Sequence, residues 1–287
     1  MCVGGSVILV GGCSASSGFL SGAHVLDCAT WTWTTVTDEH GPSPRDKLSA
    51  VAIGARVLVF GGFGPDLSAS VDEDEEDEEE GEEDEEDDEL EEGDGEAGGR
   101  GAGASFTWFG DLYTLGKQAG TWRWSAPATH GEAPPPRAAH GAAAHGGKLF
   151  LFGGRTSTGR VNDLYTLDAA TMTWAQEAAG AVSPVARSFH TLASLHPHPL
   201  LVCFGGVSSD GTPLNDLSIL DTRSAATWAQ PQDTSGAWPP ARPCAAIARV
   251  GQQLVVISMA DADNNNKAPC TCTVLDLRAV CSALEQK

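Results

Sequence analysis

Four apolar runs that each end in a glycine pair are the strongest constraint on the fold of this chain. Each run is short, contains β-branched or aromatic residues and stops at two glycines, which is typical of a buried strand followed by a turn. In the first, third and fourth runs a tryptophan comes 21, 20 and 22 residues after the second glycine. This self-similarity indicates a repeat architecture. The runs are VILVGG (7–12), VLVFGG (57–62), LFLFGG (149–154) and LVCFGG (201–206).

A long acidic segment interrupts the second repeat. Trp124 lies 62 residues after Gly62, and removing residues 66–105 restores a spacing of 22. Residues 72–92 hold 19 carboxylates, and without them the formal net charge would be −3 instead of −22. A block of like charges stays solvated. We therefore expect 66–105 to be a disordered insert within the second blade-like unit. The acidic balance argues against nucleic acid as a partner.

A third type of segment leads into each later repeat. It consists of a turn with Pro or Ala, an arginine and an apolar stretch that reaches the next Gly-Gly strand. Each unit of about 50 residues is thus predicted to form a four-stranded antiparallel sheet. The predicted fold class is all-β. Because its arginine recurs in every unit, we expect that residue to serve packing. The segments are SPRDKLSAVAI (43–53), PPRAAHGAAAH (135–145), VARSFHTLASL (185–195) and PARPCAAIARV (240–250), and their arginines are Arg45, Arg137, Arg187 and Arg242.

These units resemble the kelch family of β-propellers, whose blades have this strand number and period. The resemblance extends over residues 1–287 and implies a single propeller domain. The first unit begins at its second strand. A fifth unit, QQLVVISM (252–259) followed by TCTVLDLRAV (271–280), lacks the glycine pair and the tryptophan. We expect about five blades, either as an incomplete six-bladed ring or as an unusually small one.

The loops carry a narrower resemblance. FGGRTSTGRVNDL (152–164) places two arginines five residues apart after a glycine pair, and RSFH (187–190) opens the next unit. In order and spacing these segments resemble the small kelch-domain substrate receptors of cullin-RING ubiquitin ligases, which bind the C-terminal glycine end of target proteins. The resemblance implies that a peptide carboxylate is held by Arg155, Arg160 and Ser188. It also implies a pocket lining made of Lys47, Phe63, Phe109 and Phe189.

The chemistry of the residues supports the same function independently. A guanidinium is a planar fork that can meet a carboxylate through two hydrogen bonds, and a serine hydroxyl can donate a third. The arginine pair does not recur, since the equivalent turns read CSASSGFLSGA (13–23) and VSSDGTPLND (207–216). A feature found in one unit only points to function more than a feature that the fold repeats. That both arginines are ordinary surface residues stays open.

Two further classes of function stay open. One is a general kelch scaffold that binds a folded partner and has no ubiquitin role. The other is an enzyme, but the only tyrosines, Tyr113 and Tyr165, share one repeated DLYTL position, where we expect core residues rather than a copper site. No P-loop, catalytic triad order or metal-ligand spacing occurs. We therefore expect a non-catalytic binding module without metal or cofactor.

Two departures from the receptor pattern limit what the resemblance implies. Cys244 stands where those receptors have a further tryptophan. The chain ends at CSALEQK, without the helical box that docks those receptors to the ligase adaptor. Two alternatives stay open, namely a peptide-binding module with no ubiquitin role and a part of a longer receptor.

The start of the chain and its cysteines bear on location. MCVGGSVILVGG has no charged n-region and is too short and glycine-broken for a membrane span. We expect no signal peptide, no membrane contact and a cytoplasmic or nuclear location. In that environment the eight cysteines are expected to be reduced, small core residues.

Overall fold

A computed structural model gives the architecture of the chain. All regular elements of the described residues are β-strands, arranged as the five successive blades of a propeller. One short strand, His130–Gly131, pairs in parallel, and the other paired strands are antiparallel. The predicted all-β kelch architecture is thus confirmed. Residues 69–104, most of the predicted insert, lie outside the described residues, as do Arg242 and Cys244. The described residues are 1–68, 105–178, 180, 182–223, 227–230, 239–241, 245–251, 253–259 and 270–276.

Blades 1 and 2 each consist of a four-stranded sheet and a separate two-stranded hairpin that follows the glycine pair. The sequence predicted that blade 1 begins at its second strand, but a two-residue strand precedes it and pairs with it. Blade 1 contains β1 (Cys2–Val3), β2 (Ser6–Val10), β3 (Cys13–Ser14), β4 (Gly18–Phe19), β5 (Ala23–Asp27) and β6 (Thr32–Val36). Blade 2 contains β7 (Ser49–Ile53), β8 (Arg56–Phe60), β9 (Phe63–Pro65), β10 (Phe106–Trp108), β11 (Leu112–Gln118) and β12 (Thr121–Ser125).

In blades 3 and 4 the second and third strands continue through the glycine pair as one long hairpin with a β-bulge at the glycines. Blade 5 has three strands among the described residues. Blade 3 contains β13 (His130–Gly131), β14 (Gly141–His145), β15 (Lys148–Thr156), β16 (Gly159–Asp168) and β17 (Thr173–Glu177). Blade 4 contains β18 (Arg187–Ser188), β19 (Thr191–Ser194), β20 (Leu200–Ser208), β21 (Pro213–Asp221) and β22 (Thr227–Ala229). Blade 5 contains β23 (Ala245–Val250), β24 (Gln253–Met259) and β25 (Cys270–Asp276).

The core lies between neighbouring blades, because the two faces of each sheet pack against different neighbours. The tryptophan of a blade contacts the blade before it. Trp174 meets Phe60 of blade 2 at a ring separation of 5.4 Å, and Trp228 meets Phe152 of blade 3 at 4.9 Å. Trp124 is buried in a cluster with β2 and β5 of blade 1. Burial of these large rings fixes the order and spacing of the blades.

In the three Arg-led segments whose arginine the structure describes, that buried arginine ties the segment to its own blade. Arg137 is completely buried and binds both carboxylate oxygens of Asp163, at 2.6 and 2.9 Å, and the carbonyl of Gly153 at 3.0 Å. The packing role predicted for these arginines is therefore confirmed for the three that the structure describes. The same pair recurs as Arg45 with Asp111 and as Arg187 with Asp216.

Successive blades are also joined by backbone hydrogen bonds at one end of the central channel. The N–H of Ala139 donates to the carbonyl of Lys47, and the N–H of Phe189 donates to the carbonyl of Ala139, both at 2.8 Å. All three residues stand two positions after the buried arginine and have positive φ, between 53° and 57°. Such a conformation costs about 1 kcal/mol for a residue with a side chain. Equivalent positions of three blades therefore line the same end of the channel.

The cysteines differ from the prediction. Cys203 is buried in the core, but Cys2, Cys13, Cys28 and Cys272 are exposed, so the expected core role holds for one of the five whose side chains the structure describes. All five are free thiols.

Candidate peptide-binding site

The two predicted arginines lie on the tip of the hairpin formed by β15 and β16. Arg155 and Arg160 are directly opposite each other in the strand register, so their side chains leave the same face of the hairpin. Arg155 is exposed and Arg160 is half-buried. The base of the tip is held tightly, because a Cβ atom on Gly154 would come within 2.8 Å of His140. The guanidinium pair is thus carried by a fixed strand pair rather than by a loose loop.

Ser188 fixes the position of Arg160. The Nε of Arg160 donates to the Ser188 hydroxyl oxygen at 2.8 Å, across the boundary between blades 3 and 4. A second contact holds the two segments together, since Asn162 Nδ2 donates to the carbonyl of Pro184 at 3.1 Å. Ser188 is completely buried. Its effect on a ligand at the surface would therefore act through the orientation of Arg160.

Lys47 lies between two of the predicted aromatic residues. Its Nζ atom is 6.0 Å from the ring centroid of Phe63 and 5.9 Å from that of Phe189. An ammonium at this distance from an aromatic face is attracted by the ring quadrupole. Lys47 also lies 3.6 Å from a carboxylate oxygen of Asp46, which offsets part of its charge. Three of the four predicted lining residues are therefore neighbours at one end of the channel.

Phe109 is the fourth predicted lining residue. The guanidinium carbon of Arg45 lies 3.5 Å from the centre of its ring, so Phe109 stacks on one of the buried structural arginines. Its backbone joins blades 2 and 3, since its N–H donates to Gly62 and its carbonyl accepts from Arg137. The structure thus gives Phe109 contacts with the framework of blade 2 and of the segment that opens blade 3.

Three aromatic residues beside Phe63 were missed by the sequence analysis. The Phe106 ring stacks on Phe63 at 5.8 Å, Trp108 lies 5.1 Å from Phe63, and Phe19 of blade 1 lies 5.7 Å from Phe106. Phe106 and Trp108 alternate along β10, directly after the acidic insert, and such alternation is the pattern that could have revealed them. The aromatic surface beside Lys47 is therefore larger than predicted.

Two buried histidines under the site carry no charge near neutral pH. Burial, and secondarily the nearby Arg137 and Arg187, lower the pKa of His140 and of His190 to about 3. His140 Nε2 contacts the Ser49 hydroxyl at 2.7 Å, and His190 Nε2 accepts from the N–H of Gly141 at 3.2 Å. They support the channel strands as neutral groups, so the positive potential of the site comes from arginine and lysine.

Neither metal ligation nor a membrane-spanning helix is found in the part of the chain that the structure describes. There, no three His, Cys, Asp or Glu side chains are grouped so that they could hold a metal ion. The same residues form no helix with the length and apolarity needed to cross a membrane. The site chemistry is that of cations, hydroxyls and aromatic rings.

The family model of the KLHDC2/KLHL20/DRC7 Kelch-repeats domain matches residues 97–278, more than half of the chain, and a Kelch motif model matches residues 1–38. The chain belongs to the kelch-repeat family. The matches cover the arginine hairpin as well as both ends of the blade series. They agree with the blade order seen in the structure.

Curated kelch proteins are similar over most of the propeller. Kelch domain-containing protein 1 of Mus musculus is 32% identical over 191 residues, 65% of this chain and 42% of that protein. Its Homo sapiens counterpart is 31% identical over 223 residues, 75% of this chain and 50% of that protein. Kelch domain-containing protein 2 of Bos taurus is 32% identical over 175 residues, 61% of this chain and 38% of that protein. The chain spans half or less of the length of these relatives.

Proposed function

We propose that this kelch propeller binds protein partners and holds the C-terminal carboxylate of a partner's peptide, as the substrate receptors of ubiquitin ligases do. Arg155 and Arg160 bind the carboxylate, and Ser188 orients Arg160. Lys47, Phe63 and Phe189 form the neighbouring wall. The proposal concerns peptide recognition and assigns to this chain no docking to a ligase adaptor.

The observation that carries the proposal is the direct opposition of Arg155 and Arg160 on one hairpin face. Two guanidinium groups on one face can each donate hydrogen bonds to the same carboxylate, so the pair is suited to hold a peptide C-terminus. Since the corresponding hairpins of blades 1 and 4 have no arginine pair, the arrangement is not a requirement of the blade.

Phe189, one of the rings beside Lys47, directly follows the Ser188 that binds Arg160, and this aromatic neighbourhood supports the proposal. Rings at the edge of an ion-pair site exclude water, and charge-assisted hydrogen bonds are stronger where water is excluded. A glycine at the peptide end has no side chain, which lets its carboxylate approach the hairpin closely. A C-terminal glycine peptide is therefore the ligand class that this combination fits best.

The test is a titration of the purified protein with a peptide that ends in Gly-Gly, as the free acid and as the C-terminal amide. We expect the free acid to bind, the amide to bind much more weakly, and the double change Arg155→Ala/Arg160→Ala to cost about 2–5 kcal/mol of binding free energy. Arg223→Ala is the matched control, because this exposed arginine pairs with Asp221 at 2.7 Å on the outside of blade 4. Equal binding of acid and amide would instead favour a general scaffold.

A further inference from the structure

A cleft of about 440 Å³ lies between blades 2 and 3, on the other side of the arginine hairpin. The side chains of a strand alternate between its two faces, so Thr156 and Val161 leave the hairpin on the face opposite to Arg155 and Arg160. Both line the cleft, together with Trp108 on its far wall. The two sites therefore share one hairpin and lie back to back.

The lining of the cleft carries no net charge. Its two charged residues, Arg137 and Asp163, neutralise each other through two hydrogen bonds of 2.6 and 2.9 Å, and the Arg137 side chain is completely buried. The surface that remains open is a strip of apolar groups with a rim of hydroxyls. It consists of Trp108, Pro135, Pro136 and Val161, with Thr107 and Thr158 at the rim. Such a lining favours an uncharged ligand.

The cleft also meets the wall of the carboxylate site. Trp108 packs against Phe63, with ring centroids 5.1 Å apart, and Phe63 is in turn next to Lys47. The tip between the two sites is short, because Thr156 pairs with Gly159 and only two residues form the turn. An extended chain held by its carboxylate on one side of the tip can therefore pass over it into the cleft.

From this geometry we infer that the cleft is a subsite for the residues upstream of the bound C-terminus. It takes an extended, uncharged segment with apolar side chains or proline, which lies on Trp108 and Pro136 beside the rim hydroxyls. This inference rests on the proposed function, and it adds a selectivity that the arginine pair cannot provide. The arginines select any free carboxylate, whereas the cleft selects the sequence that precedes it.

The test compares two free-acid peptides that end in the same four residues, including Gly-Gly. One is the tetrapeptide itself and the other is a decapeptide with six apolar or proline residues in front. We expect the decapeptide to bind wild-type protein at least about tenfold more tightly, because buried aromatic anchors commonly contribute that much. Trp108→Ala abolishes this advantage, which is measured as the ratio of the decapeptide and tetrapeptide affinities of the same variant, because Trp108 also packs on Phe63 and can alter both affinities together. Trp33→Ala, at a tryptophan 52% exposed on the outside of blade 1, preserves it.

Decapeptides with glutamate or lysine in the upstream segment provide a second measurement that needs no variant of the protein. An uncharged cleft rejects both, so both bind like the tetrapeptide. A general positive field would instead favour glutamate over lysine, and that result would overturn the subsite. Equal affinity of tetrapeptide and apolar decapeptide would also overturn it. Failure of the proposed function gives a different result, namely a tetrapeptide whose acid and amide bind alike, and the subsite then falls with it.

Discussion

Arginine has two different roles in this propeller, and the repeat pattern separates them. Arg45, Arg137 and Arg187 are at most 2% exposed and each forms a bidentate pair with an aspartate of its own blade. Arg155 and Arg160 occur in one hairpin only. The first group keeps a buried charge compensated, which is a condition of folding. The second group is the one that we propose to bind a ligand.

The two roles predict a large and a small loss of unfolding free energy for the same type of substitution. Arg187→Ala leaves the Asp216 carboxylate and the Gly205 carbonyl without their donor, so we expect the free energy of unfolding to fall by about 3–5 kcal/mol. Arg155→Ala, at an exposed position, is expected to change it by about 0.5 kcal/mol or less. Urea unfolding of both variants measures their free energies of unfolding. A large loss for Arg155→Ala would make that residue structural and would remove the basis of the proposed site.

At the level of single residues the sequence predicted the buried arginines but not their partners. Recurrence pointed to Arg137, and the structure adds that Asp163, the first residue of the repeated Asp-Leu pair, completes it. Ser188 was predicted to touch the ligand directly, and its role in the proposal has changed to orienting Arg160 because it is buried. Burial of a small polar residue depends on its neighbours in space, so spacing along the chain could not reveal it.

The hairpins that extend past the glycine pairs are the elements that carry the site. In blade 3 the extension is continuous and presents the arginines, whereas in blade 2 it is the separate pair β9 and β10. Repeat spacing predicted the strands before each glycine pair, since those are long apolar runs. It did not predict the pairing of β9 with β10, because 40 residues separate Pro65 from Phe106 in the sequence. Local patterns contain no information on partners that far apart.

The pairing of β9 and β10 makes the acidic segment removable. Pro65 is paired with Phe106, and the N–H of Asp66 donates to the carbonyl of Ser105 at 2.9 Å. We propose that the segment is an insertion that the blade does not need. Replacing residues 67–104 by a two-residue Asn-Gly turn between Asp66 and Ser105 closes the hairpin with a favoured geometry.

We expect this deletion variant to fold and to keep the thermal midpoint of the full chain within about 2 °C, a shift that corresponds to about 1 kcal/mol or less in a domain of this size. Thermal unfolding at high salt is the appropriate measurement, because screening removes the general effect of the deleted charges. A loss of folding would show that the segment is part of the blade rather than an insertion in it.

Across the whole molecule, stability comes from blade faces that cover one another in sequence. Trp124, Trp174 and Trp228 are each at most 4% exposed, because the preceding blade covers them. Trp33 occupies the corresponding position in blade 1 and is 52% exposed. At the other end, Ile257 of blade 5 is 41% exposed. Among the described residues no hydrophobic cluster joins blade 5 to blade 1.

Ile257 and Trp33 occupy the two positions that contact each other between neighbouring blades in the middle of the propeller. Ile257 stands in β24 where Phe60 and Phe152 stand in their blades, and those two rings cover the tryptophan of the next blade. The exposure of both Trp33 and Ile257 therefore means that the described blades form an arc with two apolar end faces. The sequence left this question open, since repeat counting gives the number of blades but not whether the last meets the first.

Alanine substitution at equivalent tryptophans measures the difference between the middle and the ends of this arc. Trp174→Ala removes a ring that is 2% exposed and opens a cavity between blades 2 and 3, which costs about 3–5 kcal/mol of unfolding free energy. Trp33→Ala removes a ring with no blade over it and costs about 0.5 kcal/mol or less. Trp228→Ala is the second buried case and should behave like Trp174→Ala. If Trp33→Ala were as costly as these two, blade 5 or another sheet would cover blade 1 in solution, and the propeller would be a closed ring.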